Sequence, residues 1–543
     1  MLAVFAFPIL GLLTLWLLSR WTTIAKLPVY VTVTLLVSFF IPISTVALVP
    51  FDLVDDETLD NHKRLIMWRV IYWLSFLLMW LVLPLMQAYV ESGYYNPWQK
   101  LKDASKNCLK SQLIILFCGA IGGIYMSVTA GLSFTSLKGL CIALSHSYGL
   151  LLVIWMLGHS AVSIPRSMLF NSVGSNLHDL YCHATHYYDA YRDAQSNYDD
   201  VVAKIMALEA IKTEKYAKWI DSLIADISSQ DIGSGFGVGG RAGSSGNLST
   251  GASAGASGAS GATGASGRAQ PRDLTPTNIS DLGRRLYRDQ SRLLRSRADW
   301  ESLLAKVEYF EQLQSGTTHT RIAKIRPYLY MVGGLFLSCL SVIVIWSEIV
   351  SGTKLSLIDI IIRHVAKAFK VLFAALFLGY MCFLVNSALT SMRIFNLYAI
   401  VPKHTDSSSL IFFAAYALRL TVPLSYNFLM LTSTQETVFQ EFLGKFINLT
   451  ALGKYFNQVL PRLVIVPVLM TLFNVYDLVK DYLGFGFGLD YFGDDENEVV
   501  SAEPEGRDLV RRALQGFAAF QQPEVVEEQE NTGLLSVVKG WFA

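Results

Sequence analysis

The stretch LIFFAAYALRLTVPLSYNFLML, residues 410–431, decides the class of this protein. A membrane span needs roughly 20 predominantly apolar residues, each adding about 1.5 Å of helix, and this stretch qualifies. Yet it carries Arg419, Pro423 and Asn427. An arginine near mid-span costs about 2.5–3.5 kcal/mol on insertion scales, so it must face a bundle or water. Arg419 and Asn427 lie two turns apart on one helical face. Pro423 between them leaves the Arg419 carbonyl without its helical donor. The stretch reads as a kinked, inward-facing helix with a polar seam, one member of a larger bundle.

The rest of the chain agrees. Of 543 residues, 52% are hydrophobic and only 16% charged, with mean hydropathy +0.39. Soluble proteins carry about 25% charged residues. Nine windows are long and apolar enough to span: about 2–19, 28–50, 65–89, 112–132, 137–159, 327–350, 370–392, 410–432 and 461–484. The expected fold is therefore all-α: a polytopic transmembrane helical bundle of about nine spans. The formal net charge of +1 gives no bias toward nucleic acid.

Loop cations set the expected orientation. Arg20 and Lys26 follow the first window, and Lys100, Lys102, Lys106 and Lys110 follow the third. Both loops are expected in the cytosol, which puts the N-terminus outside and the C-terminus inside. The loop at 355–370 is expected outside despite its cations. Asp359, Arg363 and Lys367 recur there at helical spacing among apolar residues, as in an amphipathic helix lying along the interface. Asn448, in an N-x-[ST] sequon, falls in another outer loop and is the glycosylation candidate.

Four regions follow. Residues 1–165 form a five-span membrane half, 166–326 a cytosolic insert, 327–485 a four-span half and 486–543 an acidic cytosolic tail. Within the insert, 171–229 and 278–324 carry apolar residues at helical spacing, the pattern of a helical hairpin or coiled coil projecting from the membrane. Between them, at about 232–272, lies a Gly/Ser/Ala tract expected to be disordered, since it can bury no core. Arg284, Arg285, Arg288, Arg292, Arg295 and Arg297 crowd the second helix. They suit pairing with the first helix, a solvated face, or contact with anionic headgroups.

No catalytic constellation is present: no GxSxG, HExxH, Walker or kinase sequence occurs. The six cysteines form no CxxC pair, and His146 and His159 have no partner at metal-ligand spacing. No enzyme activity, cofactor or metal is expected. The polar residues within or near hydrocarbon are the site candidates: Arg419, Asn427, Asn386, Asn474 and Asp477, with His146 and Glu348 nearby. They read either as an interhelical clamp, with Asp477 or Glu348 as counter-charge to Arg419, or as the lining of a cavity for a ligand.

Three stretches carry a family resemblance: IYWLSFLLMWLVLPLMQAYVESG at 71–93, GHSAVSIPRSM at 158–168 and LIFFAAYALRLTVPLSYNFL at 410–429. Together they resemble the limb-region-type (LMBR1-like) membrane proteins, in particular the LMBR1-domain-containing-protein-two branch, over most of residues 1–490. The resemblance implies a eukaryotic membrane protein without enzymatic activity. Its relatives are described as endocytic receptors for lipocalin-like ligands, as partners in lysosomal cobalamin export and as regulators of G-protein-coupled receptor signalling. The expected function is a receptor-like regulator of signalling or trafficking in plasma or endolysosomal membranes. It would recruit signalling receptors or trafficking adaptors through the insert. The alternative is a transporter or export partner for a small or lipophilic solute.

Overall fold

The computed structural model describes residues 2–24, 27–53, 61–130, 134–170, 173–210, 212–229, 275–315, 321–391, 398–432, 437–447, 456, 458–475 and 503–521. The expected linker at 232–272, Asn448 and Asp477 lie outside the described residues.

The described residues are almost wholly helical. In the first half, α1 spans Leu2–Trp21, α2 Val29–Leu53, α3 Asn61–Leu77, α4 Leu83–Val90, α5 Pro97–Ala130 and α6 Phe134–Leu169. The insert contributes α7 Val173–Glu209, α8 Ala217–Ser229 and α9 Pro276–Gln314. The second half contributes α10 Arg321–Ile349, α11 Leu357–His364, α12 Lys367–Ser391, α13 Ser407–Leu431, α14 Val438–Ile447 and α15 Ile465–Leu472. A last helix, α16, runs over Glu503–Gln521.

Among the described residues, seven helices are long and apolar enough to cross a membrane. Two shorter apolar segments, Pro8–Trp21 and Pro461–Leu472, fall in the first and last of the nine sequence windows. Within the described residues the helix of the last window ends at Leu472, and Asn474 turns left-handed, with φ 49°. The protein is thus an all-α polytopic membrane bundle of about seven apolar spans.

The bundle is organised around α13 and α6. In α13, 61% of the apolar window is buried inside the protein, whereas in α5 none is. Phe413, Leu420, Leu424 and Phe428 of α13 join Leu150, Val153 and Leu157 of α6 in one core. Two prolines set the contact between α6 and its neighbours. A Cβ on Gly149 would lie 2.7 Å from Cγ of Pro423 in α13, and one on Gly158 would lie 2.6 Å from Cγ of Pro467 in α15. Each ring therefore fills the space that only glycine leaves open. Helix α13 runs unbroken through Pro423.

Another proline explains an irregular span. Pro84 lacks the N–H that the Trp80 carbonyl would accept. A π-helical turn at Leu78–Val82 accommodates the mismatch between α3 and α4. Gln112 of α5 donates to the stranded Trp80 oxygen at 3.3 Å.

The interface helix expected at 355–370 is present but shorter. Ser356 caps α11, and Asp359 pairs with Arg363 on it. Val365 then turns extended and the chain re-enters helix at Lys367, so Lys367 opens α12 and does not continue the α11 face.

The insert departs from its expected geometry. Helices α7 and α9 are antiparallel: Tyr181 donates to Glu311, and Tyr188 packs on Trp300 with ring centroids 5.4 Å apart. The pair does not project from the bundle. Beyond its attachment through α6 and α10, it touches the bundle again where Gly93, at the end of α4, meets Gly283 of α9. Trp219 of α8 stacks on Tyr94 at 5.5 Å, and Arg284 pairs with Asp103 of α5. Periodicity specified the helices but not their tilt, and contacts at both ends lay the hairpin across one face of the bundle.

The region expected to be an acidic tail also contains structure. Helix α16 packs along α7, where Val510 and Ala513 join Leu177, Tyr181, Ala184, Trp300, Leu303 and Val307 in a second core. Gly506 meets the Tyr181 carbonyl so closely that no Cβ would fit.

Candidate functional site

Of the five polar residues singled out from sequence, the four that are described, Arg419, Asn427, Asn386 and Asn474, do not meet one another. Asn427 is 1% exposed, and its Nδ2 donates to Oε1 of Glu348, itself fully buried, at 2.6 Å. Arg419 meets neither. Its guanidinium lies over the Tyr416 ring, 5.2 Å from the centroid, at a half-buried position on the same helix. Asn386 points out of the bundle and donates back to the Cys382 carbonyl. Asn474 accepts from Arg166 of α6 at 2.8 Å, near the end of α15. Sequence reasoning had aligned Arg419 and Asn427 by their helical face, but a face does not name its partner.

The Glu348–Asn427 pair lies at the end of the bundle remote from the hairpin. Around it, Ser347 donates to Ile343 O at 2.7 Å and accepts from the Ile358 amide at 3.2 Å. His146 of α6 packs edge-on against Tyr426, with centroids 5.2 Å apart. Among the described residues no hydrogen-bond donor meets the buried Oε2 of Glu348 or Oδ1 of Asn427. Both are acceptors, so the pair is chemically suited to a donor or a cation.

A larger polar cluster lies at the opposite end, beneath the hairpin. Glu91 accepts from Ser408 at 2.5 Å and from Tyr398 and Gln87 at 3.3 Å each. Gln87 also donates to the Tyr398 hydroxyl at 2.7 Å, and the Tyr398 ring stacks on Phe412 at 4.4 Å. Burial, then the charge of Glu91, pushes the Tyr398 phenol up to about 12. Tyr287 of α9 buries its hydroxyl here, and burial and then Asp406 raise its phenol as well. Asp406 caps α13 by accepting from the Ser409 amide at 3.1 Å. The cluster therefore seats the hairpin on the N-terminus of the most buried helix. Sequence reasoning missed it, although the segment QAYVESG that contains Gln87, Glu91 and Gly93 was among the stretches that carried the resemblance.

The remaining histidine is structural. His159 Nδ1 lies 3.0 Å from the Thr471 hydroxyl, which donates to Pro467 O at 2.8 Å. Nδ1 is therefore the donor to Thr471. Among the described residues no group of three or more His, Cys, Asp or Glu could hold a metal ion.

A family model described as "LMBR1-like membrane protein" matches residues 1–476. The chain belongs to the LMBR1-like membrane protein family. Members of this family are not known enzymes. The chain is similar to the "G-protein coupled receptor-associated protein LMBRD2" of Gallus gallus, with 26% identity over 84% of this chain and 70% of that protein. Its similarity to the Homo sapiens protein of the same name is also 26%, over 82% of this chain and 68% of the relative. The "LMBR1 domain-containing protein 2 homolog" of Drosophila melanogaster is 25% identical, over 82% and 68% respectively. These LMBR1-like relatives share the branch that the sequence motifs resembled. No solved structure matches the chain significantly.

Proposed function

We propose that this LMBR1-like protein is a receptor-like regulator of signalling or membrane trafficking that recruits protein partners through its helical insert. The observation that carries this reading is the hairpin's double attachment. Its α9 helix is seated by Gly283, Arg284 and Tyr287 against the α4–α5 turn and the start of α13. A surface held that way reports on the bundle, because α13 reaches from Ser408 under the hairpin to Asn427 at the far end. Relatives named as associated with G-protein-coupled receptors favour signalling receptors or trafficking adaptors as partners.

In this reading α1 and the Pro461–Leu472 segment complete nine crossings. The loop cations then place the N-terminus outside and the insert and C-terminus in the cytosol, in plasma or endolysosomal membranes. A biotin ligase inserted at 243–265 tests the proposal. It should label cytosolic signalling or trafficking proteins, and the set should shrink when 201–209 is deleted while membrane insertion persists. Labelling confined to lumenal or extracellular proteins would sink both the orientation and the function.

One observation favours a second reading, transport of a small or lipophilic solute: the buried acceptors of Glu348 and Asn427. Transport lost in Glu348→Gln at normal abundance, with the labelled set unchanged, would select it.

A further inference from the structure

Helix α9 presents a basic stripe that the hairpin does not use. Arg285, Arg288 and Arg292 are exposed. At about 100° per residue they lie roughly 140–200° around α9 from Gly283, the residue that meets the bundle. They therefore lie on the side of α9 opposite its contact with the bundle. Asp289 is the carboxylate that feels all three, and it also feels Lys204 of α7. On α7 the charge acting on Asp199 is that of Asp200, not of these arginines. The stripe keeps a positive excess.

The chain carries the complement. Glu524, Glu527, Glu528 and Glu530 follow directly on α16, and no Lys or Arg occurs from 513 to 538. The direction of α16 aims its end toward the level of the stripe. Glu503 lies 3.1 Å from His178, and Gly506 meets Tyr181 and Ala184, so α16 advances along α7 in the same direction. From Gly506 to Gln521 the helix extends about 22 Å. That distance carries its end past Tyr188, whose partner on α9 is Trp300, toward the level of Arg292. Packed helices lie about 8–10 Å apart, and seven extended residues span up to about 23 Å, so the crossing from α7 to α9 is within reach.

We propose that the acidic segment 524–530 lies in cis along Arg285, Arg288 and Arg292, so that the tail occupies the exposed basic face of the insert. An incoming partner with an acidic or phosphorylated segment would have to displace it. The placement itself requires no partner and no particular membrane orientation, so its test is separate from that of the proposed function.

The test uses the full chain in nanodiscs, with Arg288→Cys and Glu527→Cys introduced together and joined by a short bismaleimide mapped by mass spectrometry. His178→Cys with Glu503→Cys serves as the control for a docked α16. The expected result is an intramolecular 288–527 link at low salt that falls at least fivefold near 1 M salt, where the screening length is about 3 Å. Arg285→Glu with Arg292→Glu should abolish the link, and Glu524→Lys, Glu528→Lys and Glu530→Lys in that background should restore it. A strong control link without the 288–527 link would overturn the proposal. So would links between copies, or a link indifferent to salt and charge reversal.

Discussion

Gly93 and Gly283 cross with their backbones in contact: a Cβ on Gly93 would lie 2.8 Å from the Arg284 amide nitrogen, and one on Gly283 would lie 3.0 Å from the Gly93 carbonyl oxygen. This crossing is where the insert meets the α4–α5 turn. Gly93→Ala also collides with the Ser280 carbonyl, so it should cost about 1–3 kcal/mol or undock α9. Gly283→Ala should cost less. Limited proteolysis of α9 in the purified protein checks the order, and equal protection of both variants with wild type would show that the crossing is not needed.

The Glu348–Asn427 pair predicts non-additivity. Asn427→Leu leaves the buried Glu348 carboxyl without its amide donor, and the lost partner should cost about 1–3 kcal/mol. Replacing both with Leu should recover part of that loss. Folded abundance of the two single variants and the double variant decides the matter; additive losses would mean that the two side chains act independently.

Arg419 should matter less than its position in the span suggests. Among the described residues its recorded contact is the Tyr416 ring, a cation–π contact worth about 0.5–2 kcal/mol. Arg419→Leu should therefore lower stability by no more than that. A collapse of folded protein would instead reveal a carboxylate partner.

Alkaline pH should loosen the hairpin. The Tyr181 phenol is pushed up to about 12, first by burial and then by its hydrogen bond to Glu311. The folded state thus holds the proton more tightly than the unfolded chain, whose value is near 10. That contribution is complete below pH 10 and is lost between about pH 10 and 12. Tyr181→Phe should cost about 1–3 kcal/mol at neutral pH and flatten the alkaline slope measured by thermal melts.

Val510 tests the tail helix. It is 1% exposed against α7, and Val510→Asp should release α16 while sparing the bundle. Protease cleavage within 503–521 should rise at unchanged membrane insertion; protection equal to wild type would contradict the packing.

The membrane architecture was legible because hydrocarbon imposes a length and a polarity on every span. Seven windows became long apolar helices, and the Asp359–Arg363 spacing marked α11 correctly. The polar residues were legible one by one but not as pairs. Asn386 and Asn427 look alike in an apolar run, yet one turns outward and the other is buried on Glu348. What distinguishes them is the carboxyl of Glu348 on α10, which meets Asn427 and not Asn386. Helix α16 was readable in principle, since Leu509, Val510, Ala513 and Leu514 repeat at helical spacing. The acidic composition around it hid that pattern.

The proline rings seated at Gly149 and Gly158 restrict how the bundle can change shape. They lie on opposite sides of α6, two and a half turns and roughly 13 Å apart along its axis, and each belongs to a different neighbour. Sliding α13 by even one residue would drive the Pro423 ring into the larger side chains that flank its notch. Piston motion along α6 is thereby blocked, while pivoting about the notch is not. A disturbance at the Asn427 end of α13 would reach the Ser408 end as a swing in the opposite sense, and α9 rests on that end.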